Sequence, residues 1–107
     1  MRWICVFKNI EKISEIVPDQ TSRLLKIGDR KLCLINIKGN LRVVDDKCPH
    51  QGASLNKGRV NYLGDIICPL HEYRFDSKTG QETTNRCADV KVYHTKLENG
   101  AFYVLLD

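Results

Sequence analysis

Two short stretches of this chain place cysteine next to histidine in a way that could bind a metal. They read Cys48-Pro49-His50 and Cys68-Pro69-Leu70-His71, in a chain that has only 5 Cys and 3 His. Together they offer two thiolates and two imidazoles. Such ligands suit iron–sulfur clusters, zinc and copper, whereas calcium and magnesium prefer oxygen. The two cysteines and two histidines are therefore candidate ligands of one metal centre.

A set of two Cys and two His has more than one interpretation. Structural zinc sites use it, but they usually place the two cysteines in one closely spaced pair and the two histidines in another. A 2Fe–2S cluster in which two His replace two Cys on one iron needs the same four residues. Here each stretch mixes one Cys with one His. This mixing favours the binuclear cluster and leaves zinc, or no metal at all, as the alternatives.

The residues around both pairs resemble the two cluster-binding loops of Rieske-type ferredoxins. The first stretch is CPHQGASL at residues 48–55, and the second is CPLHEYRFD at residues 68–76, followed by Thr79-Gly80. The resemblance implies one 2Fe–2S cluster. Cys48 and Cys68 would bind its inner iron, and His50 and His71 would bind its outer iron.

Several residues differ from the high-potential Rieske proteins of respiratory complexes and match the soluble ferredoxin branch. Those proteins join their two loops by a disulfide, at places taken here by Ala53 and Leu70. They also carry a serine and a tyrosine where this chain has Tyr73 and Phe75. The resemblance therefore implies a low reduction potential. Glu72 stands where many ferredoxins have glycine. It is either a solvated carboxylate at the rim or a negative charge near the outer iron.

The resemblance implies an electron carrier rather than an enzyme. Protein would fill all four ligand positions, so no position stays open for a substrate. No nucleophile–base pair or nucleotide motif accompanies the site. Members of this family take electrons from a flavin-dependent NAD(P)H reductase and deliver them to a terminal oxygenase, and we expect both to dock near His50 and His71. A protein like the small subunit of assimilatory nitrite reductase and a zinc-stabilised binding module are the alternatives.

Length and composition indicate one small domain. The chain has 107 residues and a formal net charge of +4, and it contains no long apolar run. We expect a soluble, cytoplasmic protein with no membrane or nucleic-acid partner. Cys5, Cys33 and Cys87 show no pairing pattern, so we expect small buried hydrophobes or inert thiols rather than disulfides.

Short strands between turn residues predict an antiparallel all-β domain. Trp3 is expected in the core and His94 on a strand surface, and residues 9–17 predict a short helix or an irregular turn. The predicted strands cover residues 3–7, 22–27, 31–37, 41–46, 90–96 and 101–106. Between residues 47 and 76 glycines and prolines replace this pattern, which is typical of loops held by a cofactor. We predict a Rieske-like β-sandwich or barrel base (1–46 and 77–107) with an inserted cluster-binding subdomain (47–76).

Overall fold

The computed structural model describes all 107 residues, and nearly all of its regular structure is β-strand. In chain order the elements are β1 (Arg2–Phe7), α1 (Ile13–Ile16), β2 (Thr21–Ile27), β3 (Arg30–Ile37), β4 (Asn40–Asp45), a 3-10 turn (Leu55–Lys57), β5 (Arg59–Val60), β6 (Asp65–Ile67), β7 (Arg74–Asp76), β8 (Val92–Tyr93), β9 (Thr95–Glu98) and β10 (Ala101–Leu106). They form three antiparallel sheets with the orders β1-β10-β9, β2-β3-β4-β8 and β5-β6-β7. The predicted all-β fold class is confirmed.

Strand β3 lies at the centre of the fold because both of its faces are buried. Successive side chains of a strand point to opposite faces. Leu32 and Leu34 accordingly join one core cluster, and Cys33 and Ile35 join the other. The first cluster also contains Phe102, Val104 and Leu106 of β10, whereas the second contains Val60, Ile66 and Phe75 of β5, β6 and β7. The sheet containing β3 therefore packs against the terminal sheet on one face and against the β5-β6-β7 sheet on the other.

Tight turns set the register of the hairpins. Lys38-Gly39 joins β3 to β4, and Asn99-Gly100 joins β9 to β10, with positive φ at all four residues. Two consecutive residues with positive φ are the signature of the type I′ turn, whose twist matches that of paired strands. The predicted strands on both sides of Lys38-Gly39 are confirmed, with ends that differ by about one residue.

The prediction that Trp3 packs in the core is wrong. Trp3 is 40% exposed, and the ammonium of Lys96 lies 4.6 Å from its ring centroid. Cys5, on the same face of β1, is exposed as well, so of the two expectations for this cysteine the buried hydrophobe is wrong. Strand β1 lies at the edge of the terminal sheet, where only one of its faces meets the core.

Two predicted elements are shorter than expected. The strand predicted over 90–96 is interrupted at His94, because β8 pairs with β4 in the central sheet while β9 pairs with β10 in the terminal sheet. His94 is exposed, and its carbonyl oxygen accepts a hydrogen bond from the backbone N–H of Leu105. The stretch 9–17 forms only the single helical turn of α1. Before that turn, Asn9 Oδ1 accepts a hydrogen bond from the backbone N–H of Glu11.

The β5-β6-β7 sheet lies within residues 59–76, inside the range predicted for a cluster-binding subdomain. It shares a core cluster with the central sheet. The boundaries 47 and 76 stay a prediction.

No helix in the structure has the length and apolar character that crossing a bilayer requires.

Two glycines with positive φ give a test of the packing. Gly80 has φ +82°, and a Cβ there would lie 2.0 Å from the carbonyl oxygen of Val90, whereas Gly28 has φ +59° and open space around it. We expect Gly28→Ala to cost about 1 kcal/mol, the strain of a left-handed L-residue. Gly80→Ala must in addition displace backbone and should cost at least about 2 kcal/mol more. Urea unfolding of both variants measures the difference, and equal losses would contradict the packing described.

Candidate metal centre

The two predicted ligand loops are closed by the same backbone hydrogen bond. In the first loop, after β4, the N–H of Cys48 donates to the carbonyl oxygen of Ala53 at 2.9 Å. In the second, between β6 and β7, the N–H of Cys68 donates to the carbonyl oxygen of Tyr73 at 2.8 Å. The separation between donor and acceptor residues is equal in the two loops. Each cysteine therefore begins a loop of similar design, anchored to the core by its own N–H group.

The thiols of Cys48 and Cys68 lie next to each other and are almost fully buried, with 1% and 0% exposure. Burial raises the pKa of the Cys68 thiol to about 11, and the nearby Cys48 and Cys87 act in the same direction, against a hydrogen bond from the backbone at Leu70. A thiol with this pKa stays protonated at neutral pH. A metal cation that binds to the sulfur would displace this proton and stabilise the thiolate.

The imidazoles of His50 and His71 form a second pair. Their ring centroids are 5.6 Å apart, with an edge-to-face angle of 74°. His71 is exposed, whereas His50 is half-buried and its Nδ1 has no hydrogen-bond partner in the protein. A buried polar nitrogen without a partner is costly. A metal ion bound at Nδ1 would remove that cost, so the residues present fit a metal centre at this position.

The structure thus brings the four predicted ligands into two pairs. No three Cys, His, Asp or Glu side chains are placed so as to hold one metal ion together. A 2Fe–2S centre with mixed ligands is held by one pair on each iron, so the four need not meet at one point. The pairing of buried thiols and more exposed imidazoles agrees with that requirement.

Tyr73, directly before β7, connects the two loops. Its ring stacks on that of His50, with centroids 3.8 Å apart and planes inclined by 10°. The guanidinium carbon of Arg86 lies 3.8 Å from the centroid of the Tyr73 ring. One aromatic ring therefore contacts both a predicted ligand and a cation from outside the ligand loops.

Glu82 holds Arg86 in place and is fully buried. Its carboxylate accepts hydrogen bonds from the backbone N–H groups of Arg74, Thr84 and Arg86, from the hydroxyl of Thr84, and from Nε and Nη2 of Arg86. Burial alone would raise the pKa of Glu82, but these hydrogen bonds, led by those from Arg86, lower it to about 2. The carboxylate is therefore ionised at neutral pH.

Sequence reasoning missed both Glu82 and Arg86. Their only signal is the i, i+4 spacing of opposite charges, which in a stretch without regular structure is typical of a solvated pair. Cys87, which follows, is half-buried and contacts the core cluster that contains Cys48 and Cys68. Of the three other cysteines, only Cys33 is fully buried as expected.

Glu72 lies on the rim and forms an ion pair. Its Oε1 is 2.7 Å from Nη2 of Arg59, and both side chains are more than half exposed. The hydrogen bond and charge of Arg59 lower the pKa of Glu72. The interpretation as a solvated rim carboxylate therefore fits, with Arg59 balancing its charge. His71 and Glu72 both have positive φ, at 61° and 52°, which is the conformation that glycine would adopt without strain.

The fold and the site define a class: a small all-β protein with two buried thiols and two adjacent imidazoles on paired loops. The family follows from comparison with known sequences. The family model of the Rieske [2Fe-2S] domain matches residues 3–94, and the chain belongs to this family. The predicted cofactor, a Rieske-type 2Fe–2S cluster, is confirmed by this match.

Curated relatives indicate an electron carrier. The ferredoxin component of the 2,4-dinitrotoluene dioxygenase system of Burkholderia sp. (strain RASC) is 36% identical over 76 residues, which cover 70% of this chain and 72% of the relative. The relative's name describes a ferredoxin, so the prediction of an electron carrier rather than an enzyme is confirmed.

Solved structures show the same fold. The Sphingomonas yanoikuyae B1 ferredoxin superposes with a TM-score of 0.82 at 23% identity, over 99% of this chain and all of that one. A chain of the complex of reduced oxygenase and oxidised ferredoxin in carbazole 1,9a-dioxygenase gives 0.77 at 24%, over 95% and 91%. A nitrite reductase small subunit from Mycobacterium tuberculosis gives 0.78 at 16%, over 96% and 93%. At these identities the superpositions show the fold alone.

The low pKa of Glu82 predicts a pH-dependent contribution to stability. Because its pKa falls from 4.5 to about 2 on folding, the ionised carboxylate stabilises the folded state above pH 4.5 and this gain is lost as the pH falls toward 2. Glu82→Gln should therefore lower the free energy of unfolding by about 2 kcal/mol at pH 7. The difference from wild type should narrow between pH 4.5 and pH 3.

Denaturant unfolding at pH 7, 5, 4 and 3 measures this gap, and Glu72→Gln is the matched control. The Glu72 carboxylate is exposed and also paired with an arginine, so its loss should change stability little at any of these pH values. A constant gap for Glu82→Gln from pH 7 to pH 3 would contradict the ionised, hydrogen-bonded carboxylate.

Proposed function

We propose that this protein is the ferredoxin component of an oxygenase system, and that Cys48, His50, Cys68 and His71 hold its 2Fe–2S cluster. The observation that carries the proposal is the buried Nδ1 of His50, which has no protein partner and lies in the loop that also carries the buried thiol of Cys48. The cluster, when bound, accepts and releases one electron at a time.

The protein would contribute a site with little negative charge and little access to water. Two thiolates instead of four oppose the arrival of an electron less, which is why mixed Cys and His ligands raise the reduction potential. Cys48 and Cys68 would hold one side of the cluster against the apolar core, where Leu55 and Phe75 are fully buried. His50 and His71 would hold the other side, and His71 is exposed to solvent.

Electrons would enter and leave at the exposed end of the site. Pro49, Pro69 and Leu70 are exposed around the histidines, and Leu70 is 43% exposed. We propose that a flavin-dependent NAD(P)H reductase and a terminal oxygenase dock on this surface in turn. Encounters between electron-transfer proteins are usually small and transient. The ferredoxin found with an oxygenase in the carbazole dioxygenase complex supports such a partner.

The comparisons favour an oxygenase partner over the two alternative functions, and a cytoplasmic location stays a prediction. The Burkholderia relative, at 36% identity, is named as part of an oxygenase system, whereas the likeness to a nitrite reductase small subunit is one of fold. The family match names a 2Fe–2S cluster in place of the zinc alternative.

The ligand assignment predicts a coloured protein with equal amounts of iron and acid-labile sulfide. Cys48→Ser and His71→Ala should each lose most of the visible absorption, because each removes a predicted ligand. Cys5→Ser, which changes an exposed thiol on β1, is the control and should keep the full spectrum. Metal analysis and visible spectra of the purified variants test this. Stoichiometric zinc without sulfide in the wild type would overturn the proposal.

The residues next to the ligands predict the reduction potential. Ala53 and Leu70 cannot form a disulfide between the loops, and Phe75 has no hydroxyl to donate to a cluster sulfur. Hydrogen bonds to the sulfurs stabilise the reduced, more negative state. The potential should therefore lie near the low end of the Rieske range, at about −150 mV. Protein-film voltammetry measures it, and a value well above zero would place the protein in the high-potential branch.

A further inference from the structure

We propose that Arg86, held by Glu82, is a positioning residue that keeps the Tyr73 ring stacked on His50 and so fixes the imidazole for cluster binding. The inference rests on the proposed role of His50 as a ligand. It adds two residues from outside both ligand loops, and neither would touch the cluster.

The stack has three layers. His50 lies nearly parallel to Tyr73, with a centroid distance of 3.8 Å. The guanidinium of Arg86 is also 3.8 Å from the Tyr73 centroid. Two groups at this distance cannot share one face of a ring, so Tyr73 lies between the imidazole and the cation. A guanidinium over an aromatic face is attracted by the ring's quadrupole and stacks on it through its planar surface.

Glu82 restricts the movement of Arg86. Its carboxylate accepts hydrogen bonds from the backbone N–H of Arg86 at 2.9 Å and from Nε and Nη2 at 3.3 Å. Glu82 is itself fixed to β7 by a bridge to Phe75 and by the N–H of Arg74. The guanidinium is therefore tied to the strand that follows the second ligand loop.

The stack links the two ligand loops, because His50 belongs to the first and Tyr73 closes the second. The buried Nδ1 of His50 has no hydrogen bond to fix the ring orientation. The parallel stack on Tyr73, together with the edge of His71, can thus hold the imidazole before a metal binds. Without Arg86, Tyr73 loses the group on its outer face, and both rings gain freedom that cluster binding must then remove.

Arg86→Gln tests the proposal, with Arg59→Gln as the matched control. Both changes remove an arginine that is paired with a glutamate, but Arg59 stacks on no aromatic ring. We expect the holoprotein of Arg86→Gln to release iron to a chelator about tenfold faster than wild type. This ratio of rates corresponds to an activation free energy for release that is about 1.4 kcal/mol lower. Arg59→Gln should stay close to the wild-type rate, because exposed ion pairs contribute little.

A double-mutant cycle separates positioning from a general loss of stability. Tyr73→Leu should also release iron faster, whereas Tyr73→Phe, which keeps the ring, should not. Adding Arg86→Gln to Tyr73→Leu should then have little further effect, because the ring that the guanidinium holds is gone. The EPR spectrum of the reduced protein should change in Arg86→Gln and Tyr73→Leu and stay as in wild type in Arg59→Gln. Arg86→Lys, which keeps the charge but not the planar group, should fall between Arg86→Gln and wild type.

Several outcomes would overturn the proposal. These are equal release rates for Arg86→Gln and Arg59→Gln, or effects of Arg86→Gln and Tyr73→Leu that multiply in the double variant. If Arg86→Gln does not fold, equal rates for Tyr73→Leu and Tyr73→Phe would overturn it. A wild-type protein without iron and sulfide would instead refute the proposed function, so the two failures can be told apart.

Discussion

The burial of two adjacent thiols is the constraint on which the rest of the site depends. Burial, helped by the nearby charge of Asp46, raises the pKa of the Cys33 thiol to about 12, because the core disfavours a thiolate. Cys48 and Cys68 belong to the same core cluster as Cys33, yet two imidazoles lie beyond them at the loop tips. A cationic centre bound between these thiols and imidazoles would stabilise the thiolates that the core otherwise disfavours.

The two Cys–His loops place their left-handed backbone conformations at different kinds of residue. Each cysteine N–H closes its own loop by a hydrogen bond, but the first loop uses Gly52 for its positive φ, whereas the second uses His71 and Glu72. Left-handed backbone costs roughly 1–2 kcal/mol for each residue with a Cβ. The second loop can carry that strain because it begins and ends on strands whose side chains, such as Ile66 and Phe75, are fully buried. Strain of this kind tends to concentrate at functional sites.

The sequence was sufficient to predict the positions of the two Cys–His loops and of most strands, because Cys–His spacing and turn glycines are local signals. It could not predict which face of β1 is covered, since alternation marks two faces without saying which one meets the core; Trp3 was misplaced for that reason. The interruption at His94 depends on pairing with two different sheets, which is a tertiary choice. The role of Glu82 was hidden as well, because its burial depends on a bridge to Phe75 that no local pattern reveals.

Charged side chains of both signs surround the site, and some of them are compensated by their neighbours. Glu72 is paired with Arg59, and the carboxylate of Asp76 accepts hydrogen bonds from the backbone of its own turn. Asp65 is buried and hydrogen-bonded to Asn61. The field of a close ion pair falls off faster with distance than that of a single charge. Lys47, Lys57 and Arg74 are exposed and form no ion pair. Asp89 is exposed and unpaired as well, and it lines the same cavity as Lys47 and His50. The surface near His50 therefore carries both signs of charge, and each charge acts only over about 8 Å at physiological salt.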